Sequence, residues 1–183
     1  MRSKFTGSDP ITTARVTASR LTELFNGAFS DTENTRLEGG YDEPLYRPKS
    51  TLQAYHCICF REDYVASALH EVAHWCIAGC HRRRLIDYGY WYEPEGRSTA
   101  QQVQFEQVEI KPQALEWLFS TACGYKFRLS RDNFSTSSCS HSFSAAVVNQ
   151  TQRWCTLDAL PKRSSIFIDA LVNCYKIPDI FSL

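Results

Sequence analysis

The chain has 183 residues, enough for one ordinary domain, of which 43% are apolar and 22% charged, as in a soluble globular protein. This composition excludes a disordered or fibrous chain. Twenty Lys and Arg balance twenty Asp and Glu, so we expect no direct binding to nucleic acid or to an anionic membrane unless a local patch provides it. No apolar run approaches the ~18–20 residues that span a bilayer.

The eight cysteines do not suggest a disulfide framework. Residues 1 to 10 lack the apolar core of a signal peptide, so we expect a cytoplasmic protein with reduced thiols. The cysteines form no C-x-x-C pair, which argues against a structural zinc site built from them.

Few regular elements are predicted in the N-terminal third of the chain. Residues 1–18 are polar and are interpreted as a tail or extension. Apolar residues at helical spacing then predict a helix from Arg20 to Phe29. Two glycines and two prolines favour a loop over 31–50 with one short strand around Leu45 and Tyr46, and a buried strand is expected over 54–60.

The strongest helix signal covers 63–79, where Asp63 is placed to cap the helix and Gly79 to end it. Nearly every side of this helix is apolar, which predicts a central, buried position. The aromatic run that follows predicts a second strand over 85–92.

Three more helices complete the prediction. One runs from Phe105 to Gly124, where Pro112 should kink the helix or begin its second half. A Ser-rich loop over 130–144 leads to helices over 144–155 and 164–175. We therefore expect one α+β domain over 19–183, with a small mixed sheet packed by about five helices and the 63–79 helix at its centre.

His70, Glu71 and His74 form an H-E-x-x-H motif inside the central helix. Histidines at i and i+4 leave a helix on the same side and can share one metal ion. The alternative is a pair of core histidines satisfied by neighbouring carbonyls. Burying two imidazoles and a carboxylate on an apolar helix costs several kcal/mol unless something pairs with them, which favours the metal.

Glu71 is rotated roughly 100° from His70 around the helix, so it does not suit the same ion as a ligand. It is placed to act as a general base through metal-bound water, or as a carboxylate outside the ligand set.

A third protein ligand is expected from the next helical segment, which carries Glu106, Glu109 and Glu116. We favour Glu109, because it lies just before the Pro112 interruption. Glu106 is the reserve. Asp87 and His81 are weaker candidates, since both lie in or beside a charged turn.

Two segments after the motif helix are candidates for substrate binding. Arg82, Arg83 and Arg84 either offset the negative end of the helix dipole or form a docking patch for an acidic macromolecule. The aromatic run with Tyr88, Tyr90 and Tyr92 either packs into the core or lines a substrate groove.

The ligand set fits two chemistries. H-E-x-x-H is typical of zinc hydrolases, in which Glu71 would activate water. Two histidines and one carboxylate also form the triad that leaves positions open on non-haem Fe(II) for oxygen chemistry. A third alternative is a binding or scaffold protein whose metal is structural.

The wider sequence resembles the elongation factor P hydroxylase family of gamma-proteobacteria over roughly residues 20 to 134. The stretches that carry the resemblance are Asn34-Thr35-Arg36-Leu37, Asp42-Glu43-Pro44-Leu45-Tyr46, Ala66 to Gly79, Asp87 to Tyr92, Glu93 to Arg97 and Gln104 to Leu115.

The resemblance implies a cytoplasmic enzyme that hydroxylates the lysine of elongation factor P after a β-lysyl group has been attached. It implies a fold similar to that of a metal-dependent bacterial ribonuclease, with Fe(II) bound by His70, His74 and a carboxylate near Glu106 to Glu109. Molecular oxygen would be the co-substrate and zinc the alternative metal.

The family also implies a partner. Elongation factor P is an acidic tRNA mimic, which Arg82, Arg83 and Arg84 would complement. Its cationic arm would lie along Tyr88, Tyr90 and Tyr92 through cation–π contacts.

Overall fold

The computed structural model describes residues 15–90, 98–130, 141–157 and 159–177. Within these ranges the elements are α1 (Ala18–Phe29), β1 (Thr35–Tyr41), β2 (Leu45–Arg47), β3 (His56–Arg61), α2 (Val65–Ile77), α3 (Thr99–Cys123), α4 (His141–Leu157) and α5 (Lys162–Tyr175). Five helices around a small mixed sheet confirm the α+β prediction. None of the helices in the described ranges is long and apolar enough to cross a bilayer.

The sheet has the order β1-β3-β2, with β1 parallel and β2 antiparallel to β3. Side chains alternate along β3. Ile58 and Phe60 belong to the main hydrophobic cluster, whereas Cys57 and Cys59, which are also fully buried, lie outside that cluster with their thiols 3.3 Å apart. The helices therefore cover one face of the sheet.

Helix α2 is central, as predicted, since it contacts α1, α3, α5, β1 and β3. Its Trp75 is fully buried and meets the rings of Phe25 and Phe29 edge-on, with centroids 5.1 and 4.9 Å away. Arg163 of α5 donates to the carbonyls of Trp75, Cys76 and Ala78. These carbonyls end the helix and would otherwise lack partners.

The helix boundaries differ from the prediction in detail. Tyr64, not Asp63, is the N-cap of α2, and the helix ends at Ile77 with Ala78 as its C-cap. Helix α3 runs through Pro112 as one helix and starts at Thr99, where a capping box between Ser98 and Gln101 satisfies its first amides. Gly124 ends α3 in a left-handed conformation, as the sequence indicated.

The predicted loop over 31–50 is wrong in part, because it contains β1 as well as the expected β2. The Gly39-Gly40 pair lies inside β1, where the register with β3 shifts between Glu38 and Tyr41. A Cβ on Gly39 would lie 2.4 Å from the Phe60 ring. Glycine serves here for close packing rather than for a turn.

The strand predicted over 85–92 is also wrong. Residues Arg82–Arg84 and Ile86–Gly89 form two short 3-10 turns, and 91 and 92 lie outside the described residues. Asp87, Tyr88 and Gly89 all have positive φ angles, of 47°, 57° and 71°. The Asp87 side chain accepts a 2.8 Å hydrogen bond from the Tyr46 amide, and the Tyr88 ring stacks on Tyr46. These contacts outweigh the strand propensity of the aromatic residues.

Candidate metal centre

The two histidines of α2 converge as the helical period requires. The Nε2 atoms of His70 and His74 lie 3.0 Å apart, and their rings are inclined at 69°. Both side chains line one cavity of about 760 Å³. The motif therefore presents two imidazole nitrogens at one point of the cavity wall.

Glu109 of α3 completes the group. Its Oε1 lies 3.2 Å from His74 Nε2, and its Oε2 lies 3.5 Å from His70 Nε2. Within the described residues, His70, His74 and Glu109 are the set of three whose ligand atoms all lie within 4.8 Å of one another. Two imidazoles and a carboxylate are donors that suit Fe(II) or Zn²⁺, so these residues fit either metal.

Glu106 lies elsewhere on the same helix. It is half-buried, accepts a 3.3 Å hydrogen bond from Gln102 Nε2, and is not part of the three-residue group. The structure thus brings the favoured glutamate, rather than the reserve, to the two histidines.

Glu116 has a separate position. Its Oε2 lies 2.9 Å from His70 Nδ1. With the carboxylate oxygen as acceptor, His70 donates from Nδ1, and Nε2 is the nitrogen left to bind a metal, which would have to displace any proton that Nε2 carries. The sequence predicted Glu116 only as a possible metal ligand; its seven-residue spacing from Glu109, two turns along one helix face, is the signal that relates the two carboxylates.

The electrostatics of the group favour a positive charge. Burial lowers the pKa of His70, but the hydrogen bond to Glu116 and the charges of Glu109 and Glu116 outweigh it and raise that pKa to about 10. Burial raises the pKa of Glu109, yet the neighbouring His74 and His70 bring it down to about 2. A buried carboxylate such as that of Glu109, which stays ionised beside imidazoles, provides the negative charge that a divalent cation needs.

The cavity walls are mainly acidic. The acidic residues that line the cavity are Glu109 and Glu116 near the histidines, together with Glu43, Glu71 and Asp87. The basic residues that line it are Arg61 and Arg128. Burial is the main cause that raises the pKa of Glu71 and of Asp87. Such walls suit a cationic ligand, and Glu71 lies beside the ligand group without belonging to it.

Of the aromatic run predicted to line a substrate groove, the structure describes residues 88–90. Tyr88 and Tyr90 line the cavity, and Tyr92 lies outside the described residues. Tyr88 is 4% exposed, and one face of its ring stacks on Tyr46 at 4.3 Å. The guanidinium of Arg82 lies 4.2 Å from the centre of the Tyr90 ring.

The three arginines of the turn have different surroundings. Arg83 is half-buried, forms a 2.8 Å ion pair with Glu33, and its backbone carbonyl accepts from the Tyr46 hydroxyl. Arg82 donates to the Tyr88 carbonyl. Arg82 and Arg84 are exposed. Arg83 therefore helps to hold the turn, whereas Arg84 faces solvent.

Comparison with known proteins gives a family for this chain. A sequence model of the elongation factor P hydroxylases matches residues 24–182. The chain belongs to the elongation factor P hydroxylase family. It is 44% identical over 161 residues to the elongation factor P lysine hydroxylase of Haemophilus influenzae, a match that covers 87% of this chain and 90% of the relative. Members of a hydroxylase family are oxidoreductases, so the chain is an enzyme of that class.

Proposed function

We propose that this enzyme hydroxylates the β-lysylated lysine of elongation factor P at a non-haem iron centre held by His70, His74 and Glu109. The relative is named for hydroxylation of elongation factor P lysine. The observation that carries the iron proposal is the convergence of two Nε2 atoms and one carboxylate on an acidic cavity. Bound iron would supply the redox chemistry that activates molecular oxygen.

The side chains around the centre have separate roles in this proposal. Glu116 holds the His70 ring by its 2.9 Å hydrogen bond, which keeps Nε2 directed to the ligand group. Glu71 orients a water molecule or a substrate ammonium from the cavity wall. Both carboxylates are fixed in place before the substrate binds. Each can therefore hold a proton or a positive charge at a defined position.

The substrate arm is cationic, and the cavity matches that charge. Glu43, Glu71 and Asp87 of the cavity wall would attract the arm, while Tyr88 and Tyr90 of the same wall would contact its methylene groups and ammonium. Tyr92, which lies outside the described residues, is proposed from the sequence alone to share these contacts. The reaction would place one oxygen atom of O₂ in a C–H bond of the arm. The second oxygen would leave as water, which takes up two protons and two electrons from a reductant or co-substrate.

Docking of the protein substrate would use Arg82, Arg83 and Arg84, whose positive charge complements an acidic tRNA mimic. Arg82 and Arg84 are the more exposed of the three. We infer a cytoplasmic enzyme, because the seven described cysteines are free thiols, as reducing compartments favour.

The experiment is to incubate Fe(II)-loaded protein with oxygen and β-lysylated elongation factor P and to follow the mass of the product. We expect a gain of one oxygen atom that depends on oxygen and on iron. His70→Ala and His74→Ala should lose both bound metal and product, whereas His81→Ala, which changes an exposed histidine, should keep both.

The same assay separates the zinc hydrolase alternative, which uses the same ligands with Glu71 as general base. A product that forms equally well without oxygen, or with zinc in place of iron, would overturn the hydroxylase proposal. Retained hydroxylation in either histidine variant would overturn the proposed site.

A further inference from the structure

Residues 125–130 follow α3 as irregular backbone and contribute to one wall of the cavity. Arg128, Leu129 and Ser130 line the cavity, and Leu129 also packs against the hydrophobic core. Irregular backbone has no repeating set of backbone hydrogen bonds, so other contacts must hold it in place. We call residues 125–130 the wall segment.

Two side chains of α3 hold the wall segment. The amide of Gln113 bonds both backbone groups of Ser130: Oε1 accepts from the Ser130 N–H at 3.0 Å, and Nε2 donates to the Ser130 carbonyl at 3.3 Å. One turn further along the helix, the ring of Trp117 stacks on that of Phe127, with centroids 5.4 Å apart and an interplanar angle of 8°. The wall segment is therefore attached to α3 at two points.

Gln113 also meets the candidate metal ligand of the same helix. Glu109 lies one turn before Gln113, and the two residues are only 3% and 2% exposed. The bonds to Ser130 fix which end of the amide is the oxygen, and they leave Nε2 with a second N–H for the Glu109 carboxylate. Burial raises the pKa of Glu109, whereas the two histidines and a hydrogen bond from Gln113 lower it. One buried amide thus serves the ligand and the wall segment at the same time.

We propose that Gln113 is a positioning residue that holds both the Glu109 carboxylate and the wall against which the substrate lies. This role rests on the proposed function, which supplies the metal and the substrate. A buried amide with three fixed partners has one favourable orientation, so it keeps Glu109 directed toward the histidines and the wall segment at a fixed distance from them. A wall that is ordered in advance reduces the entropy cost of binding the substrate.

The main variant is Gln113→Met, which keeps the length and the helix propensity of the side chain but removes the amide. We expect the affinity of the metal-free protein for Fe(II), measured by anaerobic competition with a chelator, to fall by about tenfold. Hydrogen–deuterium exchange of residues 125–130 at saturating Fe(II) should become faster, because Ser130 loses both bonds. Gln107→Met changes an exposed glutamine of the same helix and should alter neither measurement.

Phe127→Ala loosens the wall segment at its other attachment and leaves Gln113 and Glu109 in place. It should also speed the exchange of residues 125–130, but its affinity for Fe(II) should equal that of the wild type. At saturating Fe(II), both variants should raise the KM for β-lysylated elongation factor P by about three- to tenfold with little change in kcat, as a loss of uniform binding does. Thermal melting of each variant checks that it folds.

Each part of the role has its own contrary result. Unchanged exchange of residues 125–130 in Gln113→Met would overturn the role of Gln113 at the wall segment. Unchanged Fe(II) affinity in Gln113→Met, or an equal fall in Phe127→Ala, would overturn its role at Glu109.

Exchange and Fe(II) affinity need no turnover, so they separate the positioning role from the proposed function. A wild type that binds Fe(II) without hydroxylating elongation factor P, and that loses affinity in Gln113→Met, would remove the proposed function and keep the positioning role. Hydroxylation by the wild type, with Gln113→Met equal to it in exchange and in affinity, would do the reverse.

Discussion

The two sides of the cavity are built differently. On one side, His70, His74, Glu109 and Glu116 project from α2 and α3, two regular helices that pack on each other. On the other side, Asp87, Tyr88 and Tyr90 come from a turn with three successive positive φ angles. The geometry of the first side, the helix side, depends on helical spacing. The geometry of the second side, the turn side, depends on individual contacts.

This difference has an energetic basis. A ligand on a helix is held by a repeating set of backbone hydrogen bonds, so replacing one side chain leaves its neighbours in place. The turn is held by particular bonds, such as that from the Tyr46 amide to Asp87, and its left-handed residues cost energy that these bonds must offset. We therefore expect helix variants to change chemistry and turn variants to change stability.

The largest effect is expected for Glu109→Ala. Removing the carboxylate leaves two imidazoles, and the loss of metal affinity should exceed the ~10–100-fold that changes outside the ligand set cause. The loss is measured by the amount of hydroxylated product and by the metal content after dialysis. The fold should survive, because alanine has a high helix propensity. Glu106→Ala on the same helix is the control and should retain metal. The opposite pattern would make Glu106 the ligand.

The second prediction concerns the helix side, where metal binding should depend on pH. Since the pKa of His70 is raised to about 10, metal binding at neutral pH must displace one proton from that ring. Apparent affinity should therefore rise by about tenfold per pH unit between about pH 7 and pH 9. Competition with a chelator at several pH values measures the slope. In Glu116→Gln the pKa of His70 should fall, and a slope equal to that of the wild type would contradict this cause.

The same shift affects the stability of the metal-free protein. A raised histidine pKa contributes stability that is fully present below the unfolded value of 6.5 and is lost as pH rises toward about 10. The melting temperature of the metal-free protein should therefore fall between pH 7 and pH 10, and the fall should be smaller in Glu116→Gln.

The contrast between the two sides also explains what could be predicted from sequence. Helical spacing placed His70 and His74 on one face of α2, and apolar residues on nearly every side of α2 identified it as the central helix. The sequence favoured Glu109 over Glu106 because of its position before Pro112, whereas in the structure α3 runs through Pro112 as one helix and the face of α3 that meets α2 brings Glu109 to the histidines. The bond from His70 to Glu116 depends on the same packing.

The elements that prediction missed are set by contacts between distant residues. Within β1, Gly39 packs against the ring of Phe60 and Gly40 has a φ angle of 91°, and no local signal distinguishes such a pair from a turn. The segment after α2 has the aromatic residues of a strand. The bond to Asp87 and the stack on Tyr88 bend it instead, and both are made by Tyr46, about forty residues earlier in the chain.

The fourth prediction tests the turn side. Asp87→Ala removes the acceptor of the Tyr46 amide and places alanine at a φ of 47°, so the free energy of unfolding should fall by about 1–3 kcal/mol. Asp87→Asn should lose much less, because asparagine tolerates the left-handed region and its amide oxygen can accept the same bond. Urea denaturation of the metal-free variants measures both, and equal losses would mean that neither the bond nor the conformation matters.

The smallest effect is expected for Arg84→Ala, which changes an exposed charge on the turn. If the turn docks an acidic partner, affinity for elongation factor P should fall by roughly two- to five-fold at low salt, and the difference should shrink as salt screens the charges. Arg153→Ala on α4 removes an equally exposed charge and should have no effect. Arg83→Ala is unsuitable as a docking variant, because it also breaks the ion pair with Glu33. Equal affinity of Arg84→Ala and the wild type at low salt would leave the turn with only its structural role.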